Sequence, residues 1–144
     1  MMTSKQMQNG NSAENLVVEL FREYHYWVHD MAKDATGAQP VDVVAIRGAF
    51  AGFGTSTFLV DAKNVRESEI SLPFSRIESN QLSCMKYAFE WAGISKRNIG
   101  FVVVFDREPD KPRFLSYSVY LEMVKRGEKS ANFNDMADFI NVIK

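Results

Sequence analysis

One residue of the 144 is a cysteine, Cys84, and four are prolines. A single thiol excludes an internal disulfide and any zinc site built from cysteines, and it predicts a reducing, cytoplasmic setting. Neither sign of charge is in excess: 17 Lys and Arg stand against 18 Asp and Glu, a formal net charge of −1. The broad basic surface of a non-specific phosphate binder is therefore not written into the composition. No apolar run approaches the roughly 20 residues needed to cross a bilayer. The opening "MMTSKQMQNGNSAEN" lacks the apolar middle of a secretory signal, so no membrane contact is expected. There is no internal repeat and no low-complexity segment. No G-x-x-x-x-G-K-[ST] phosphate loop occurs, and Gly48, Gly52 and Gly54 read as turn glycines. What is present is 46% hydrophobic and 24% charged residues in a length suited to one core.

The pattern predicts a disordered start over residues 1–10 and a single domain over 11–144. A helix opens at Asn11 or Ser12, and Val17, Leu20, Phe21, Tyr24, Trp27, Val28 and Met31 follow at helical spacing. Gly37 and Pro40 break it. Strands are expected at 41–46, 57–64 and, ending at Pro73, 69–73. A second amphipathic helix spans 75–93, stopped by Gly93. The continuous apolar run "NIGFVVVFD" (98–106) reads as a fully buried strand, followed by a strand from Arg113 and two closing helical pieces, 118–127 and 133–144. This is a mixed α/β domain whose sheet is covered by helices.

Polar residues on inward faces break the pattern. In strand 57–64, Asp61 and Lys63 lie two apart and so share a face with Thr57 and Leu59. Asp42 is a lone carboxylate opening an apolar strand, and a buried carboxylate costs several kcal/mol unless it is paired or holds a metal. At about 100° per residue, Glu14 lies within about 60° of Val17, Val18 and Phe21, toward the core. Gln81 falls in line with Met85, Ala88 and Ala92. Singly, each has an ordinary explanation, such as a first-turn acid, a strand cap, an ionic rung or a helix-start polar residue. Together they come from four elements and could converge. His25 and His29, one turn apart on the expected helix, lack a third metal ligand.

Pro40-Val41-Asp42, followed nineteen residues later by Asp61-Ala62-Lys63, resembles the bipartite motif of the PD-(D/E)xK nuclease superfamily. "GNSAEN" resembles the first-helix glycine and glutamate of Holliday-junction resolvases. "SLPFSRIESNQLSCMK", with Pro73 and Gln81, resembles the segment after the catalytic lysine in RecU-type resolvases, and "GFVVVFD" with "FLSYSVYLEMVKRG" resembles their closing strand and tail helix. The resemblance spans residues 10–128 and implies a restriction-endonuclease-like core in the order α-β-β-β-α-β with C-terminal helices. It also implies a metal-dependent endonuclease that cuts branched DNA, most specifically a four-way junction, as a homodimer. The alternatives are a nicking, flap or restriction-like enzyme, or an inactive DNA-binding module of the same fold.

On that resemblance the catalytic set is Glu14, Asp42, Asp61, Lys63 and Gln81. Asp42, Asp61, Glu14 and the Ala62 carbonyl would hold Mg²⁺ or Mn²⁺, hard ions that take oxygen ligands. Lys63 would orient the attacking water or steady developing negative charge, and Gln81 would contact the water or the phosphate. Backbone affinity is expected from Arg66, Arg76, Arg47 and Lys86, with Lys96 and Arg97 as lesser candidates. The apolar groups of "EISLPF" (69–74) are the expected dimer contact.

Overall fold

The computed structural model describes residues 2–31, 41–48 and 56–144. Gly37, Pro40, Gly52 and Gly54, read from the sequence as breakers and turns, lie outside them. Helix α1 (Met2–Glu23) is followed by β1 (Trp27–Asp30), β2 (Val43–Arg47), β3 (Ser56–Val65) and β4 (Ser71–Pro73). Helix α2 (Ser79–Glu90) then leads to β5 (Ile99–Phe105), β6 (Arg113–Ser116), α3 (Tyr117–Lys125), β7 (Ser130–Asn132), β8 (Ala137–Asp138) and α4 (Phe139–Ile143). Among the described residues six strands form one mixed sheet in the order β1-β2-β3-β5-β6-β8, and β4 pairs with β7 apart from it. The expected order α-β-β-β-α-β is there. Its third strand, however, is β1, because 71–73 belongs to the small second sheet.

Helix α1 departs from the sequence reading at both ends. It reaches back to Met2, through the residues expected to be disordered, and it stops at Glu23 rather than Met31. The stop is a Schellman motif. His25 takes a left-handed φ of 70°, its N–H donates to the Arg22 carbonyl, and the Tyr26 N–H donates to the Phe21 carbonyl, both at 3.0 Å. The hydrophobic contact that accompanies such an ending is the Tyr26 ring set edge-on against Phe21, centroids 5.0 Å apart. Trp27 and Val28 thereby leave the helix and enter an edge strand paired with Ile46 and Ala45.

The parallel pair β3–β5, in register Leu59↔Ile99, is bridged by α2 as a crossover. Strand β5 is buried along its whole length because both faces of the sheet are covered. On one face Val17 and Phe21 of α1 and Phe139 and Ile143 of α4 pack against Val43, Phe58 and Val60. On the other, Met85 and Ala88 of α2 and Tyr120 and Met123 of α3 pack against Leu59, Phe101 and Val103. Alternate residues of β3 thus serve two separate apolar layers, and the odd-numbered ones, Asp61 and Lys63 included, face α2.

Gly100 lies where β5 approaches β6. A Cβ there would stand 2.3 Å from the Leu115 carbonyl oxygen and 2.9 Å from Ser116 Cα, both main-chain atoms that cannot rotate away. Gly100→Ala is accordingly expected to cost about 2–3 kcal/mol or more, the range for overpacking a well-filled core. Urea unfolding measures it; a loss under about 0.5 kcal/mol would mean the strands separate freely at this point.

Candidate active site

Strand pairing brings the two aspartates together. The β2–β3 ladder pairs Val43 with Val60 and Val44 with Leu59, so the same register carried one residue further sets Asp42 opposite Asp61. Asp42 is held by both its main chain and its side chain. Its carbonyl accepts the Met31 N–H at 2.8 Å, and its Oδ2 accepts the Ala62 N–H at 2.9 Å. A side-chain oxygen therefore takes up an amide just beyond the last β2–β3 rung.

Asp61 is 2% exposed. Burial raises its carboxyl most, and the neighbouring Asp42 raises it further by charge repulsion and by a carboxyl–carboxyl hydrogen bond. Lys63 opposes both effects, and the result is pushed up to about 7. Lys63 Nζ stands 3.0 Å from Asp61 Oδ2. The two are close as charges but not aligned for a hydrogen bond, which leaves this buried oxygen without a hydrogen-bond donor. Lys63 Nζ also donates to Gln81 Oε1 at 3.3 Å. That oxygen accepts the Glu78 N–H as well, at 3.2 Å, as half of the capping box that starts α2. The amide that opens the helix thus also locates the lysine, and its Nε2 remains as a donor.

Asp42, Asp61, Ala62, Lys63 and Gln81 are therefore brought together. Glu14 is not joined to them. Helix α1 covers the face of the sheet opposite to Asp61, and among the described residues no three Asp, Glu, His or Cys side chains gather at one point. Glu14 is half-buried on α1. His25 and His29 are parted by the end of the helix and do not form a metal pair on it.

Of the cations, Arg66, Arg76 and Lys86 are exposed. Arg76 donates to the Asn64 carbonyl at 2.8 Å, which fixes it one residue from Lys63. Arg47 is a correction. It is buried, donates to the Tyr24 carbonyl at 3.1 Å and lies over the Tyr26 ring at 4.5 Å. The guanidinium anchors the α1–β1 corner and does not face solvent phosphate. Lys96 is half-buried over Phe89 at 4.9 Å, while Arg97 is exposed. The sequence reading passed over Asn64, whose Nδ2 donates to Asp106 Oδ1 at 2.6 Å and ties the end of β3 to the end of β5. A polar residue closing the D-A-K-N run was its only signal.

A divalent cation fits this donor set. Asp61 Oδ2 is buried without a donor, two carboxyls sit close enough to perturb one another, and the neighbouring ligand types are oxygens, as hard cations require.

The six-stranded mixed sheet between helices, with Asp42 just before β2 and Asp61 and Lys63 on β3, is similar in fold to solved nucleases, a Holliday junction resolvase among them. Hjc of Archaeoglobus fulgidus, a Holliday junction resolvase, superposes with a TM-score of 0.59 at 14% identity, covering 92% of this chain and 95% of that one. A nuclease from a fusselovirus superposes with a TM-score of 0.53 at 13% identity, covering 93% and 91%. No protein-family model and no curated protein matches the sequence.

Proposed function

We propose that this chain is a metal-dependent DNA endonuclease that hydrolyses phosphodiester bonds in branched DNA, the four-way junction being its preferred substrate. The observation that carries this reading is the clamped lysine. Lys63 Nζ lies between Asp61 Oδ2 at 3.0 Å and Gln81 Oε1 at 3.3 Å, beside a second carboxylate, on a buried wall. A structural ion pair has no need of a second aspartate that repels the first. A site for a cation and a phosphate does.

Asp42 and Asp61, with the Ala62 carbonyl, would hold Mg²⁺ or Mn²⁺; when bound, the ion neutralises charge at phosphorus and activates a water. Glu14 is assigned a supporting role. Lys63 places a fixed positive charge where the phosphate gains negative charge, and it costs little reorganisation because the hydrogen bond to Gln81 and the ion pair with Asp61 already hold it. With its oxygen engaged, Gln81 turns the Nε2 hydrogens toward a phosphate oxygen or the water. Arg66, Arg76 and Lys86 supply backbone affinity, which should fall steeply with salt. The fold shared with a resolvase favours the junction over other substrates.

Labelled four-way junction, flap and linear duplex incubated side by side with Mg²⁺ form the test. Paired symmetric cuts in the junction are expected. Cleavage of flap or duplex in preference would move the assignment to a flap or restriction-like enzyme, and cleavage of none would leave a DNA-binding module.

A further inference from the structure

Beyond the ends of β3 and β5 lies a hollow of about 270 Å³ that the candidate site does not use. Phe105, at the end of β5, and Phe133, in the turn after β7, give it an aromatic wall, set edge-on with centroids 5.5 Å apart. Ile70, 69% exposed, also lines it. In the segment 69–74, expected as the dimer contact, Leu72 is fully buried and the Phe74 ring packs on Tyr120, so Ile70 is its one large exposed side chain.

The polar lining holds both donors and acceptors. Glu69 is half-buried, whereas the exposed Glu108 is engaged by Lys111 at 3.6 Å. Arg107 is held in place by donation from its Nε to the Glu67 carbonyl at 2.8 Å. Asn132 is fixed by a capping box, in which its N–H donates to Asp135 Oδ2 at 2.9 Å and its Oδ1 accepts the Asn134 N–H at 3.0 Å. With that oxygen engaged, the Nδ2 hydrogens of Asn132 are left as donors.

The hollow stands close to the lysine. Val65 pairs with Phe105 as Lys63 pairs with Val103, so Phe105 is on the face of the sheet that carries Lys63. One pleat repeat separates the two pairs, about 7 Å along the strands. Arg76 is fixed on the carbonyl of Asn64, which lies between Lys63 and Val65 in the chain.

We propose that the hollow receives one unpaired base of the cut strand, within about two nucleotides of the scissile phosphate, and selects guanine. The distance to the cut rests on the nuclease reading; the chemistry of the hollow does not. Two carboxylates in the lining repel a phosphate, and a wholly apolar guest would leave them without partners. A base offers a flat face to Phe105, Phe133 and Ile70 and a polar edge to the rest. The volume falls just below the range of small-molecule sites, about 300–1,000 Å³, which suits one ring system and not a base pair. Guanine alone among the four bases presents donors on two adjacent edge nitrogens, N1 and N2, which one carboxylate accepts together. Its O6 and N7 are acceptors for Asn132 and Arg107. Glu69 is the carboxylate assigned to the donor edge. Bases at a branch point are the ones a protein unpairs at least cost.

Wild type, Glu69→Gln and Ile70→Ser are compared on four-way junctions that differ only in the bases beside the branch. Without metal, 6-thioguanine is placed at each of these positions in turn and irradiated, and the crosslinked peptide is identified by mass spectrometry. Peptides carrying Ile70 or Phe133 are expected, with a yield about fivefold lower in Ile70→Ser, which lacks one stacking wall. With Mg²⁺, wild type should cut about tenfold faster with guanine than with adenine at the crosslinking position, the discrimination of one bidentate base contact. Glu69→Gln should bring that ratio within about twofold. Losing a negative charge speeds every substrate alike, so the ratio is the readout and not the rate. Junctions cut without regard to that base, crosslinks found only elsewhere, or a ratio unchanged in Glu69→Gln overturn the base site and leave the nuclease reading standing. Crosslinks at the hollow in a protein that cuts no DNA would uphold the base site and overturn the nuclease reading.

Discussion

Asp61→Asn is expected to lower junction cleavage by about a thousandfold or more while leaving junction affinity within about twofold. The rate loss follows from removing a group that stabilises charge in the transition state, a change that costs about 10²–10³ even for a neutral donor. Affinity should survive because the side chain is buried against Lys63, whereas phosphate attraction is assigned to the exposed Arg66, Arg76 and Lys86. Asn keeps the volume, so the sheet has no reason to shift. Single-turnover cleavage and metal-free binding, measured on one labelled junction, separate the two quantities. Cleavage at the wild-type rate would remove Asp61 from the mechanism.

Without metal, the protein should lose stability as pH rises from about 4 to about 7, by on the order of a few kcal/mol, and change little above that from this group. Asp61 in the fold keeps its proton up to about 7, against 3.8 for the ordinary carboxyl. Between those values the folded chain binds more protons than the unfolded chain, so raising the pH favours unfolding. Stability from this group is complete below about 4 and is lost by about 7. Asp61→Asn should flatten the slope and make the metal-free protein more stable than wild type at pH 7.5. The wild type should regain the difference with millimolar Mg²⁺, since a cation binds the deprotonated pair and releases the proton. Urea midpoints at pH 5, 6, 7 and 8, with and without Mg²⁺, read this directly. A metal-free stability that climbs between pH 5 and 7, with no change in that trend in Asp61→Asn, would contradict the burial of Asp61 beside Asp42.

The candidate site was legible in the sequence where a short period fixes direction. Asp61 and Lys63 lie two apart in a strand, and that spacing places them on one face whatever surrounds it. Gln81 was legible because Met85 and Ala88 mark the buried row of α2. Glu14 was read correctly as leaning toward the core, yet a helical wheel does not say which face of a sheet the helix will cover. The end of α1 was hidden for a similar reason. Tyr24, Trp27, Val28 and Met31 continue the helical spacing, and the ending depends on a histidine in a left-handed conformation where glycine is the usual signal. Arg47 stands beside a glycine-rich stretch that suggests an open loop, and only the packing of Tyr24 and Tyr26 shows it buried. Strands β7 and β8, of three and two residues, are too short to carry any period.

The bond from the Ala62 amide to Asp42 Oδ2 and the contacts that hold Lys63 also determine when order is gained. A free lysine side chain carries up to about 2 kcal/mol of rotational entropy, and an aspartate somewhat less. In this fold that freedom is surrendered when β2, β3 and α2 come together, before any ligand is bound. On the proposed function, DNA would then meet side chains already in place, and the entropic cost of arranging them would fall on the stability of the fold instead of on the binding step.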